Sequence, residues 1–170
     1  GLLLETQDQI FKHIKTLQNH DIPDAELITI AEFLVNQLNV KISLEFEKYS
    51  KKYQIEYLIK KLDRPIRVCG MVKNEGEPGG GPFWVRDEKG RQTLQIVEST
   101  QIDLNSKVQS KIFKSATHFN PVDIVCGVYD YKGNKFNLTD FIDPKTAFIT
   151  EKTKNGEIIK AFELPGLWNG

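Results

Sequence analysis

The chain changes texture once, at Arg64-Pro65, and that change limits what it can fold into. Before it, apolar residues recur at helical spacing among Lys and Glu. After it, Gly, Pro and β-branched residues dominate. The residue preceding a proline is driven out of the helical region, so a helix reaching this point must stop. The expected organisation is a helical segment over 1–63 and a sheet-forming segment with a Gly-rich loop over 64–170, together an α/β or α+β fold with a mixed sheet.

In the first segment Thr6-Gln7-Asp8-Gln9 fits a capping box that opens a helix carrying Ile10, Ile14 and Leu17. A second helix is expected to begin near Pro23, with Leu27, Ile30, Ala31, Leu34 and Leu38 on one face. Val40 to Phe46 alternates and reads equally as a strand or as the start of a third helix running through Tyr49, Tyr53, Tyr57 and Leu62. In the second segment Ile66 to Val72 reads as a strand. Phe83 to Arg86 and Thr93 to Val97 read as a hairpin around Glu88-Lys89-Gly90, and Lys107 to Lys114 as a short helix. Ala147 to Thr150 and Ile158 to Phe162 read as a hairpin turning at Asn155-Gly156, a pair suited to positive backbone angles.

Composition bears on partners and compartment. With 23 Lys+Arg against 23 Asp+Glu the net charge is zero, which removes the cationic excess expected of a nucleic-acid or anionic-membrane binder. No apolar run approaches the roughly 20 residues that span a bilayer. Cys69 and Cys126, each in a valine-rich stretch, are expected as reduced, buried thiols, and the chain as cytoplasmic. The ends, starting within an apolar run and stopping at Leu167-Trp168-Asn169-Gly170, read as those of a fragment of a longer protein.

For chemistry the sequence excludes more than it selects. His13, His20 and His118 lack metal-ligand spacing with Cys or acidic residues. Ser99 and Ser115 lack a nucleophile-elbow context. Lysines between 48 and 61 alternate with Glu47 and Glu56, as on a solvated helix face. The run Lys73-Asn74-Glu75-Gly76-Glu77-Pro78-Gly79-Gly80-Gly81 follows a predicted strand. It suits close approach of backbone to a ligand but fits neither a dinucleotide fingerprint nor a Walker loop, and a solvated surface loop is the alternative. Glu98 ends an alternating strand, where an ionised carboxylate offers acceptors to vicinal hydroxyls or caps a helix. Asn120-Pro121 reads as a turn or as a sugar-reading amide.

The strings Arg64 to Phe83, Gln95 to Glu98, Thr117 to Asp123 and Glu163 to Gly170 together resemble the C-terminal part of an uncharacterised family of longer proteins from Bacteroidota. The resemblance is close from Arg64 onward and weak over the helical third. More remotely, the chain is similar to the UDP-sugar pyrophosphorylases. Lys73 followed by Glu77-Pro78-Gly79 matches their strand-Lys and Glu-Pro-x-Gly, Gln95 to Glu98 matches their second strand motif, and Phe119-Asn120 matches their Phe-Asn pair.

The resemblance implies the sugar-binding half of a nucleotidyltransferase (GT-A-like) domain, with Glu98 and Asn120 contacting sugar hydroxyls. It implies that Glu77, Gly79 and Gly80 line the pocket, that Lys73 neutralises a phosphate, and that Trp168 presents an aromatic face to the sugar. The ligand expected is a sugar phosphate or nucleotide sugar, with Mg²⁺ in the full-length protein and none in this part, which alone should be inactive. Asp123 stands where those enzymes carry a second Asn, and three glycines replace one. A non-catalytic module of the same fold, recognising a glycan or a protein partner, is the alternative. Self-association through an exposed sheet edge is expected of either.

Overall fold

The computed structural model describes residues 1–165 except His20, Glu77, Pro78, Lys89 and Val122. The fold is α+β, with three helices first and short antiparallel ladders after. Helix α1 spans Leu2–Leu17, α2 Asp24–Asn36 and α3 Lys51–Leu62.

Helix α1 starts four residues before the expected Thr6 cap, with the carbonyl of Gly1 accepting from the amides of Leu4 and Glu5. The reason is burial. Leu3 extends the Ile10, Ile14 and Leu17 stripe backward onto the core, and that packing outweighs a side-chain cap. Pro23 is the cap of α2, which buries Leu27, Ile30, Phe33 and Leu34. Neither reading of 40–46 holds, since this stretch is irregular and leads into a 3-10 turn at Phe46–Lys48. Its alternation has no neighbouring strand to serve. Val40, Ile42 and Phe46 drop onto the helices while Leu44 stays 98% exposed. The Ser43 amide donates to the Tyr57 hydroxyl at 3.0 Å, tying this stretch to α3. Ser50 then caps α3 by accepting from the Tyr53 amide.

Among the described residues, eight strands form four two-stranded antiparallel ladders rather than one mixed sheet. Strand β1 (Ile66–Cys69) pairs with β6 (Ile124–Gly127), and β2 (Val72–Lys73) with β5 (His118–Phe119). Strand β3 (Gly81–Arg86) pairs with β4 (Gln92–Val97), and β7 (Phe148–Lys154) with β8 (Glu157–Glu163). The strand expected over Ile66 to Val72 is therefore broken at Gly70-Met71. The pairing stops at Cys69 opposite Ile124 and resumes at Val72 opposite Phe119, with more residues between on the second strand than on the first, a bulge that interrupts the ladder.

Helix α4 (Lys107–Lys114) has the expected bounds, with Ser106 accepting from the Gln109 amide as its cap. The β7–β8 turn places Asn155 at φ 52° and Gly156 at φ 85°, as an Asn-Gly hairpin requires. Both cysteines are free, but Cys126 is exposed and Cys69 only partly buried. Their ladder has two strands, and its face at β6 is uncovered, leaving Ile124 and Val125 exposed as well. Among the described residues no helix is long and apolar enough to cross a membrane.

Candidate functional site

The candidate residues meet where three strands converge. Strand β2 brings Lys73 opposite His118 on β5, and the Asn74 amide continues the contact by donating to the Thr117 carbonyl at 2.9 Å. Immediately after β5, the Asn120 amide donates to the Gly80 carbonyl at 2.8 Å. Gly81 opens β3 opposite Val97, so the next residue on that side, Glu98, arrives beside Gly80. Three of the segments the sequence singles out, Lys73 to Gly81, Gln95 to Glu98 and His118 to Asn120, thus adjoin one another.

Gly80 could carry a side chain only if the Glu98 carboxylate swung aside. A Cβ on it would stand 2.6 Å from Oε1 and 3.1 Å from Oε2 of Glu98, so the carboxylate lies directly over its Cα. Gly79, at φ 151°, packs with Phe119 near its Cα. A Cβ on Gly81 would meet the His118 carbonyl at 3.0 Å, backbone that cannot swing aside.

Both polar candidates also hold the backbone. Glu98 caps the 3-10 turn Ser99–Gln101: its side chain accepts from the Gln101 amide while Gln101 Oε1 accepts from the Glu98 amide at 2.8 Å. Gln101 Nε2 donates onward to the Thr146 carbonyl at 2.8 Å, linking the junction to the approach to β7. Asn120 is 6% exposed, and its Nδ2 donates to the Gly70 carbonyl at 2.6 Å. The Gly70 amide in turn donates to the Asp123 carbonyl at 2.7 Å, so Asn120 closes the bulge from inside. Lys73 is exposed and makes no ion pair with a described residue. Glu77 and Trp168 lie outside the described residues.

At the junction Gly80, Gly81 and Asn120 are buried, Glu98 is half-buried and Lys73 is exposed. The surface depressions found lie elsewhere, one along α4 between Leu104 and Ser115 and one between α1 and α2 beside His13 and Phe33. Among the described residues no three His, Cys, Asp or Glu side chains are grouped to hold a metal.

Sequence reasoning missed a second acidic pair. Asp63, at the end of α3, is partly buried with Oδ1 unpaired. Burial pushes its carboxyl above the usual range, the nearby Asp130 adds to that, and Lys132 opposes it. For Asp130 desolvation raises the carboxyl, but the Asn134 amide and side chain, the Lys132 amide and the Lys132 charge together outweigh it and hold the carboxyl low. The signal for the turn was present in Asp130-Tyr131-Lys132-Gly133-Asn134, an Asx-type sequence. Nothing in the sequence placed Asp63 beside it. The thiols of Cys69 and Cys126 are both pushed up by burial, against the pull of Arg67, which makes them poor nucleophiles at neutral pH.

Fold and junction together define an α+β domain in which a helical core carries a polar meeting point of short strands. The chain belongs to the family described as Domain of unknown function (DUF4301), whose model matches residues 1–170, the helical third included. No curated protein and no solved structure matches it.

Proposed function

We propose that the junction of Lys73, Gly79-Gly80, Glu98 and Asn120 is the sugar-contacting side of a nucleotide-sugar or sugar-phosphate site in a nucleotidyltransferase-like protein. The observation that carries the reading is the Glu98 carboxylate lying over the bare Cα of Gly80. A carboxylate held against side-chain-free backbone by the Gln101 amide offers paired acceptors to vicinal hydroxyls from a fixed position. Lys73, exposed on the adjacent β2, supplies a mobile positive charge for a phosphate. The similarity to UDP-sugar pyrophosphorylases at these same positions supports the assignment.

A second reading has its own observation. Glu98 and Asn120 both bond local backbone, as they would in a non-catalytic module of the same fold. Calorimetry of the protein against a panel of UDP-sugars separates the two. Under the first reading at least one sugar binds, and Glu98→Ala weakens it about tenfold or more, the loss expected for a hydrogen bond to a charged group. Glu98→Gln keeps an acceptor for the Gln101 amide and still weakens binding through loss of charge. Absence of any binding, or equal binding by Glu98→Ala, rejects the sugar reading.

A further inference from the structure

The β7–β8 hairpin has a face that the other described residues do not cover. Antiparallel register puts Ile149 opposite Phe162, Glu151 opposite Lys160 and Thr153 opposite Ile158, and directly opposed residues share a face. On that face Ile149 is 60% exposed, Phe162 65% and Ile158 73%. Residues 151–160 are exposed throughout, so the far half of the hairpin stands clear of the body on both sides. A free two-stranded ribbon is marginally stable in water, and its large apolar side chains gain by being covered.

We propose that this face binds a second copy of the chain, face to face, about a two-fold axis running along the strands. The argument is charge complementarity. Rotation about such an axis lays each residue of β7 over its ladder partner on β8 of the other copy. Glu151 then meets Lys160 of the second copy, Lys160 meets Glu151, and Ile149 meets Phe162 at one end of the patch. The surface is complementary to itself, as a two-fold interface requires. A two-fold axis across the strands would instead set Glu151 on Glu151, which is repulsive. The charged pair at the centre of the patch also disfavours a lipid surface, where both charges would have to be desolvated without new partners. The inference does not depend on the sugar site and uses none of its residues.

Sedimentation velocity over a concentration series tests it. The unaltered protein is expected to move from monomer to dimer, and Phe162→Glu to remain monomeric. Glu151→Lys and Lys160→Glu, each alone, put like charges across the axis and weaken self-association about tenfold or more. Their 1:1 mixture then forms a heterodimer, because one copy presents two lysines and the other two glutamates. That outcome cannot come from stabilising the hairpin within a chain, since each variant still has like charges opposed in its own ladder. An unaltered protein that stays monomeric at its highest soluble concentration overturns the proposal. So does undiminished self-association by either single variant, or a mixture that fails to pair.

Discussion

The helical third and the strand junction are held together by different physics. Among the described residues, the large buried apolar side chains all lie between Ile10 and Leu62 except Pro65 and Ile66. Beyond Ile66 the chain is stitched by backbone ladders, glycine contacts and a few amide side chains, and strands such as β6, β7 and β8 keep large apolar groups exposed. A core built on burial tolerates polar change outside it, whereas a polar junction fails when one donor is lost. The glycines belong to the second regime, since each close approach at Gly80 and Gly81 replaces a side chain that would have contributed packing.

Four substitutions sharpen the contrast. The largest effect is expected from Leu58→Ala, which removes a fully buried side chain of α3 and should cost about 2–5 kcal/mol in urea unfolding. Val125→Ala, at a 61% exposed position of β6, should cost less than about 1 kcal/mol by the same measurement. Comparable losses at the two sites would break the division.

Next is Asn120→Ala. It leaves the Gly70 carbonyl without its side-chain donor and should cost about 1–3 kcal/mol. Amide exchange should accelerate at Gly70 and across β2 and β5, while α1 to α3 keep their protection. A uniform rise across the helices would show that the junction and the core unfold as one.

The smallest effect is at Asp63. Its folded pKa is raised by burial and by Asp130, so the folded state binds more protons than the unfolded one between the unfolded value, about 3.9, and the higher folded value. Stability therefore falls as pH rises through that window, and the charged carboxylate destabilises the fold above it. Asp63→Asn should be slightly more stable than the unaltered protein at neutral pH, with the gain vanishing below about pH 4. Thermal unfolding across pH checks this, and a gain that persists in acid would point to packing instead.

The sequence made the helices legible because their apolar period needs no distant partner. The stripe of α2 and the Ser106 cap of α4 both lie within a few residues of what they organise. Hairpin turns at Gly90 and at Asn155-Gly156 were legible for the same reason, being set by local backbone angles. What failed depended on neighbours far along the chain. Alternation over Val40 to Phe46 promised a strand or a helix, but Tyr57 captured the Ser43 amide. The split at Gly70 required knowing that the facing strand would bulge against it. At the site, the sequence picked out segments that do meet, but not what Asn120 and Glu98 bond there. A Glu as helix cap followed by Gln101 is an uncommon capping box, and an Asn before Pro reads as a turn before it reads as a clamp.

The bulge at Gly70-Met71 has a consequence for how this molecule tolerates change. An unbroken ladder from Ile66 to Lys73 would transmit any shift in the glycine loop straight to Ile66, the point where the strands touch the buried core. Interrupted as it is, the ladder works as a strain relief. An insertion beside Gly76, where added atoms would meet nothing within 4 Å, can be accepted while the register of β1 on β6 stays where the helices set it.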